Sequence, residues 1–131
     1  MMKRISLCVA LLIVLSNSSY AYHAYPKDKL LTSTATFIDV RSINARQRLQ
    51  KIKPKALWVD PHSLMEINDF LKSHIKQKDK EFIIYCSCPD DEYAIAMAEI
   101  MDREGYTNVY ILKDGFNTLD NYNLLVKDVR K

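Results

Sequence analysis

The chain is poor in residues that interrupt or staple a fold. Of its 131 residues only 2 are glycine and 4 are proline, while 48% are apolar. That composition excludes a collagen-like, low-complexity or disordered chain and fits one packed globular domain. Three cysteines are too few for a disulfide framework. His23, His62 and His74 have no ligand-like spacing, so no metal site and no cofactor is expected. Neither charge sign dominates: 19 basic residues oppose 16 acidic ones. A near-neutral chain gives no footing for nucleic acid, and no nucleic-acid partner is expected.

A long hydrophobic run is also missing. In "MMKRISLCVALLIVLSNSSYA" the apolar stretch from Ile5 to Leu15 is too short for the roughly 20 residues that cross a bilayer. Lys3 and Arg4 precede it, and Ser19-Tyr20-Ala21 offers small residues at the two positions a signal peptidase reads. Residues 1–21 therefore read as a signal peptide, giving a periplasmic or secreted protein with no stable membrane insertion. Cys8 lies inside the apolar stretch and has no catalytic or lipid-bearing role in this reading. Without Lys3 and Arg4 the balance is 17 basic against 16 acidic, or +1. The mature chain keeps Cys86 and Cys88 in an oxidising compartment. Cysteines this close in sequence enclose almost no loop, so their purpose is chemical rather than structural.

Residues 22–35, "YHAYPKDKLLTSTA", show no period and read as a lead-in segment. Four compact β-type runs follow: "TFIDV" (36–40), "ALWVD" (56–60), "EFIIYC" (81–86) and "NVYIL" (108–112). None alternates between apolar and polar, as suits strands buried on both faces of a parallel sheet. Helical patterns lie between them. "SINARQRLQK" (42–51) is polar and short. "DPHSLMEINDFLKSHI" (60–75) sets Leu64, Ile67, Phe70, Leu71 and Ile75 at helical spacing. Either Asp60 with Pro61, or a capping box of Ser63 and Glu66, would start it. "DEYAIAMAEIMDREG" (91–105) stacks Ala94, Met97, Ala98 and Met101 as core packing and stops at Gly105. The alternation predicts an α/β domain over 36–131, with a mainly parallel sheet flanked by helices on both faces.

In such a sheet ligands bind at the carboxyl ends of strands. Cys86 falls at such an end, just before a helix. Loop amides and the helix N-terminus would favour its thiolate, or an anionic persulfide. Here the chain resembles the rhodanese-like family over roughly residues 36–120. "FIDVR" is similar to that family's first core strand. "KPKALWVDPHSL" is similar to its Ile-Pro-Gly-Ala segment, and "IIYC" to the strand leading to its active cysteine. "GYTNVYILKDGFNTL" resembles its ending. The Cys-x-Cys-Pro loop is similar to a variant loop of some rhodanese-like domains. The resemblance implies a persulfide-forming nucleophile at Cys86, cradled by the loop Ser87, Cys88, Pro89, Asp90, Asp91 and Glu92. Asp39 and Arg41 would be supporting residues that fix neighbouring loops.

Some positions depart from the family pattern. Lys55 replaces a glycine, Asp114 the first of two paired glycines, and Leu119 a common tryptophan. The loop carries acids where the family has glycine and arginine. Carboxylates repel thiosulfate and raise a neighbouring thiol's pKa. The basic run "RQRLQKIKPK" (46–55) reads as a solvated surface. The leading expectation is an exported sulfurtransferase that takes sulfane sulfur from a small donor. Cys86 would hold it as a persulfide and pass it to a thiol or other nucleophilic acceptor. Cys88 is a resolving thiol in this scheme: attack on the persulfide's inner sulfur releases sulfide and leaves a Cys86–Cys88 disulfide. Two other classes stay open: a periplasmic thiol–disulfide redox protein using the same pair, and a non-catalytic binding module on the same fold.

Overall fold

The computed structural model describes residues 20–129. The strands are β1 (Thr36–Asp39), β2 (Lys51–Ile52), β3 (Leu57–Trp58), β4 (Glu81–Tyr85), β5 (Asn108–Ile111) and β6 (Val126–Lys127). The helices are α1 (Ile43–Arg48), α2 (Leu64–Ser73), α3 (Glu92–Arg103) and α4 (Gly115–Asn121). The central sheet runs in the order β3-β1-β4-β5, with every pairing parallel. β2 and β6 form a separate antiparallel ribbon.

Strand side chains alternate between faces, and here both faces are covered. Phe82 and Ile84 of β4 join Ile67, Phe70 and Leu71 of α2 and Ala94, Met97, Ala98 and Met101 of α3. Ile83 and Tyr85 point the other way, into a cluster with Phe37, Leu30, Leu112 and Leu119. Two apolar faces leave no polar position from Phe82 to Tyr85, and only Glu81 at the start of β4 is exposed. Each large apolar side chain so buried is worth about 1.5–3 kcal/mol, which makes β4 the best-anchored strand.

The helix starts follow side-chain chemistry. The Ser63 Oγ accepts from the Glu66 N–H at 3.2 Å, while Asp60 accepts from the His62 N–H at 2.9 Å. The serine thus caps α2 and the aspartate builds the turn before it. α3 ends before Gly105, which has φ +92°. The helical pattern of 42–51 is cut short at Arg48, because Lys51 and Ile52 pair instead with Lys127 and Val126. The run 56–60 contributes only Leu57 and Trp58, being an edge strand with a single neighbour, β1.

Residues 22–35 pack on this body through the backbone. The Tyr25 N–H donates to the Ile111 carbonyl at 2.8 Å, and the Ile111 N–H donates to the His23 carbonyl at 2.9 Å. A 3-10 segment (Lys27–Thr32) then buries Leu30. Among the described residues no helix is long and apolar enough to cross a membrane. The signal-peptide reading falls almost wholly on residues 1–19, which lie outside the described residues.

Candidate functional site

The carboxyl end of β4 delivers Tyr85 and then Cys86, whose carbonyl accepts from the Phe116 N–H at 3.0 Å. Cys86 is 1% exposed. It is bonded to Cys88 as a disulfide, with Cα atoms 5.6 Å apart. Cys88 is half-buried at the mouth of the loop. Its sulfur accepts from the Tyr93 N–H, in the first turn of α3, at 3.2 Å. The sequence led us to expect loop amides around the Cys86 sulfur; the Tyr93 amide meets the Cys88 sulfur.

The acids of the loop divide into two kinds. Pro89, Asp90 and Glu92 are exposed. Asp91 is buried, and its Oδ2 accepts from the Asp114 N–H at 3.3 Å, tying the cysteine loop to the β5–α4 turn. Asp90 and Asp91 are both left-handed, at φ 54° and 56°, a conformation aspartate tolerates better than most side chains. Two such residues in succession turn the chain sharply enough to start α3 right after the cysteines.

A buried ion pair lies beside Tyr85, on the sheet face opposite the Cys86 side chain. The Arg41 Nε donates to both Asp39 oxygens at 3.1 Å, and its Nη2 reaches Oδ2 at 2.8 Å. Nη1 and Nη2 also donate to the Leu49 and Lys51 carbonyls at 2.9 and 3.0 Å. Tyr85 donates its hydroxyl to Asp39 at 3.1 Å. Burial, with the Asp39 charge second, pushes the Tyr85 phenol well above its ordinary pKa, against the opposing pull of Arg41. The guanidinium lies 5.0 Å from the Phe116 ring centroid. Asp39 and Arg41 therefore fasten β1, the α1–β2 turn and β4 together directly behind Cys86.

The positions where the family resemblance led us to expect glycine have left-handed backbones: Lys55 at φ 68° and Asp114 at φ 51°. The backbone need persists although the residue type has changed. Gly115 is kept for a different reason, since a Cβ there would lie 2.6 Å from the Tyr85 Cβ. Leu119 is fully buried in the second core cluster. The basic run is engaged in the framework rather than at the cysteines. Arg46 pairs with Asp128 at 3.2 Å and stacks on Trp58, Lys51 pairs with Asp120 at 2.9 Å, and Lys53 lies over Phe37.

Sequence reasoning set His62 aside, yet its Nε2 lies 3.3 Å from the Tyr93 hydroxyl, beside the loop. The available signal was its place just after a strand at the carboxyl edge of the sheet. No local signal marked the Asp91–Asp114 tie. Among the described residues no group of three or more His, Cys, Asp or Glu side chains is placed to hold a metal ion.

A search of the curated proteins finds no match. Solved structures do share the fold. The BH2092 protein of Bacillus halodurans is 20% identical, with a TM-score of 0.63 over 80% of this chain and 77% of that one. The Alr3790 protein of Anabaena is 18% identical, with a TM-score of 0.60 over 79% and 88%. A thiosulfate sulfurtransferase of Pseudomonas aeruginosa is 18% identical, with a TM-score of 0.57 over 79% of this chain but only 19% of that larger one. A family model, the rhodanese-like domain, matches residues 24–121. That span contains the whole central sheet, the cysteine loop and the ion pair behind it, and so the chain belongs to the rhodanese-like domain family.

Proposed function

We propose that this protein is an exported sulfurtransferase that carries sulfane sulfur as a persulfide on Cys86. The observation that supports it best is the place of Cys86 at the carboxyl end of a central parallel strand, inside the family match. Ligands of open parallel sheets gather at that edge. In the reduced protein the Cys86 thiolate attacks the outer sulfur of a donor R–S–SH. Cys86–S–SH forms and the R–S⁻ thiolate leaves. Similarity to a fold that includes a thiosulfate sulfurtransferase agrees with the reaction class. The acidic loop argues for a thiol persulfide over thiosulfate as donor, because exposed Asp90 and Glu92 repel a dianion.

The test is an intact-mass measurement after the reduced Cys88→Ser variant, in which no neighbouring thiol can expel the bound sulfur, meets glutathione persulfide. A gain of one sulfur atom, mapped to Cys86 and absent in Cys86→Ser, is the expected result. No gain at all would remove the reading. For export, intact mass of native material should place the start near Tyr22 in the soluble periplasmic fraction. A chain starting at Met1 and sedimenting with membranes would overturn that part.

A second reading is a thiol–disulfide redox protein, favoured by the bonded Cys86–Cys88 pair. It is distinguished by catalysis of disulfide exchange with no sulfur uptake on Cys86.

A further inference from the structure

We infer that the sulfur loaded on Cys86 leaves as sulfide, and that an external dithiol drives each turnover by entering at Cys88. The inference rests on the sulfurtransferase reading of Cys86 and names the acceptor of that same site.

Reach comes first. The two sulfurs are within bonding distance of each other in the folded domain. A Cys88 thiolate is therefore already beside the inner sulfur of a Cys86 persulfide. The Tyr93 amide at 3.2 Å, at the start of a twelve-residue helix, favours negative charge on that same Cys88 sulfur. Attack by Cys88–S⁻ on the Cys86 Sγ forms the Cys86–Cys88 bond, breaks the S–SH bond and expels HS⁻. Two electrons have then passed from the cysteine pair to the sulfane sulfur.

Access decides how the pair is reset. In the disulfide form Cys86 is 1% exposed, whereas half-buried Cys88 lies between exposed Pro89 and half-buried Tyr93. An incoming thiolate meets the Cys88 sulfur, and Cys86 departs as thiolate. A monothiol bound at Cys88 in this way is easily lost, since Cys86–S⁻ two residues away re-forms the disulfide and expels it. A dithiol R′(SH)₂ escapes that reversal. Its second thiol attacks its own sulfur in the mixed disulfide, releases Cys88–S⁻ and closes the cyclic disulfide R′S₂, an intramolecular step with high effective concentration. The sum over the cycle is R–S–SH + R′(SH)₂ → R–SH + H₂S + R′S₂. This predicts a dithiol, small or carried on a protein, as the partner of the loop.

The test compares sulfide release from glutathione persulfide, corrected for the protein-free rate, with dithiothreitol or with reduced glutathione at equal total thiol. Wild type should turn over at least about tenfold faster with dithiothreitol. Cys88→Ser should lose that advantage while still taking one sulfur on Cys86 in a single-turnover mass measurement. Partial reduction of the oxidised wild type by glutathione, quenched in acid and mapped without reductant, should place the adduct on Cys88. Retention of the dithiothreitol advantage in Cys88→Ser, or glutathione found on Cys86, overturns the inference. Failure of wild type and Cys88→Ser alike to take up sulfur on Cys86 would instead overturn the sulfurtransferase reading on which it rests.

Discussion

Replacing Arg41 by methionine removes a cation that makes five side-chain hydrogen bonds in a site only 1% exposed. Methionine fills much of the same volume, so lost packing is a minor part of the effect. The Asp39 carboxylate, itself 2% exposed, is left without its counter-ion. Breaking one side of a buried pair costs about 3–5 kcal/mol. Stripping donors from the Leu49 and Lys51 carbonyls adds about 1–3 kcal/mol each where water cannot follow. Asp39 keeps the Tyr85 hydroxyl and the Arg41 backbone N–H at 3.1 and 2.9 Å, which softens the first term. The two carbonyls lie in a surface-reaching turn that can relax toward water. A net loss of about 4 kcal/mol is expected, a large part of the 5–15 kcal/mol typical of a domain. With a urea slope of about 2 kcal/mol per molar, the midpoint should fall by about 2 M. Arg41→Lys should recover little, because a single ammonium cannot span Asp39 and both carbonyls. Asp39→Asn combined with Arg41→Met should cost less than the sum of the single changes. A loss below about 1 kcal/mol in Arg41→Met would refute the view of this pair as the fastening behind Cys86.

Three other predictions concern the same framework. Because folding raises the Tyr85 pKa, its contribution is fully present below the unfolded value near 10 and is lost as pH climbs beyond it. Denaturation midpoints measured from neutral to strongly alkaline pH should fall in wild type and fall less steeply in Tyr85→Phe; identical slopes would contradict this. Lys55→Gly relieves an exposed left-handed lysine and should stabilise by about 0.5–1 kcal/mol, read as a higher thermal midpoint. The two loop aspartates should separate. Asp90→Asn should raise thiosulfate use several-fold relative to a neutral persulfide donor, with the gain shrinking in salt. Asp91→Ala should instead lower stability by about 1–2 kcal/mol through the orphaned Asp114 amide, with donor preference unchanged. Matching effects of the two changes on donor choice would undo that division.

What was legible in the chain was what short windows encode. The doubly apolar run of β4 announces a buried parallel strand, Asp60 and Ser63 together announce the start of α2 without deciding which of them caps it, and Gly105 announces the end of α3. Cys86 stands out because a nucleophile type follows such a run directly. The remainder depends on partners distant in sequence. The lead-in joins β5 through main-chain groups that every residue carries, so no side-chain pattern marks it. Lys51, at the end of a helical window, is withdrawn from it by pairing with Lys127 near the C-terminus. Asp91 reads as one of three equivalent acids until the Asp114 amide singles it out. Lys55 and Asp114 hide turns that glycine would have announced.

The backbone pairing of the lead-in has a consequence for how copies of this chain meet. A sheet grows by offering unpaired N–H and C=O groups along an edge strand, and a long flat edge invites a second molecule to add its own strand. Here one edge is β3, only two residues long, and the outer rim of β5 is occupied by His23 and Tyr25 where it reaches Ile111. Neither margin presents a run on which a neighbour's strand could be templated. Cleavage of the backbone between Tyr25 and Leu30 would loosen that cover and expose the rim of β5 to strand addition by another copy.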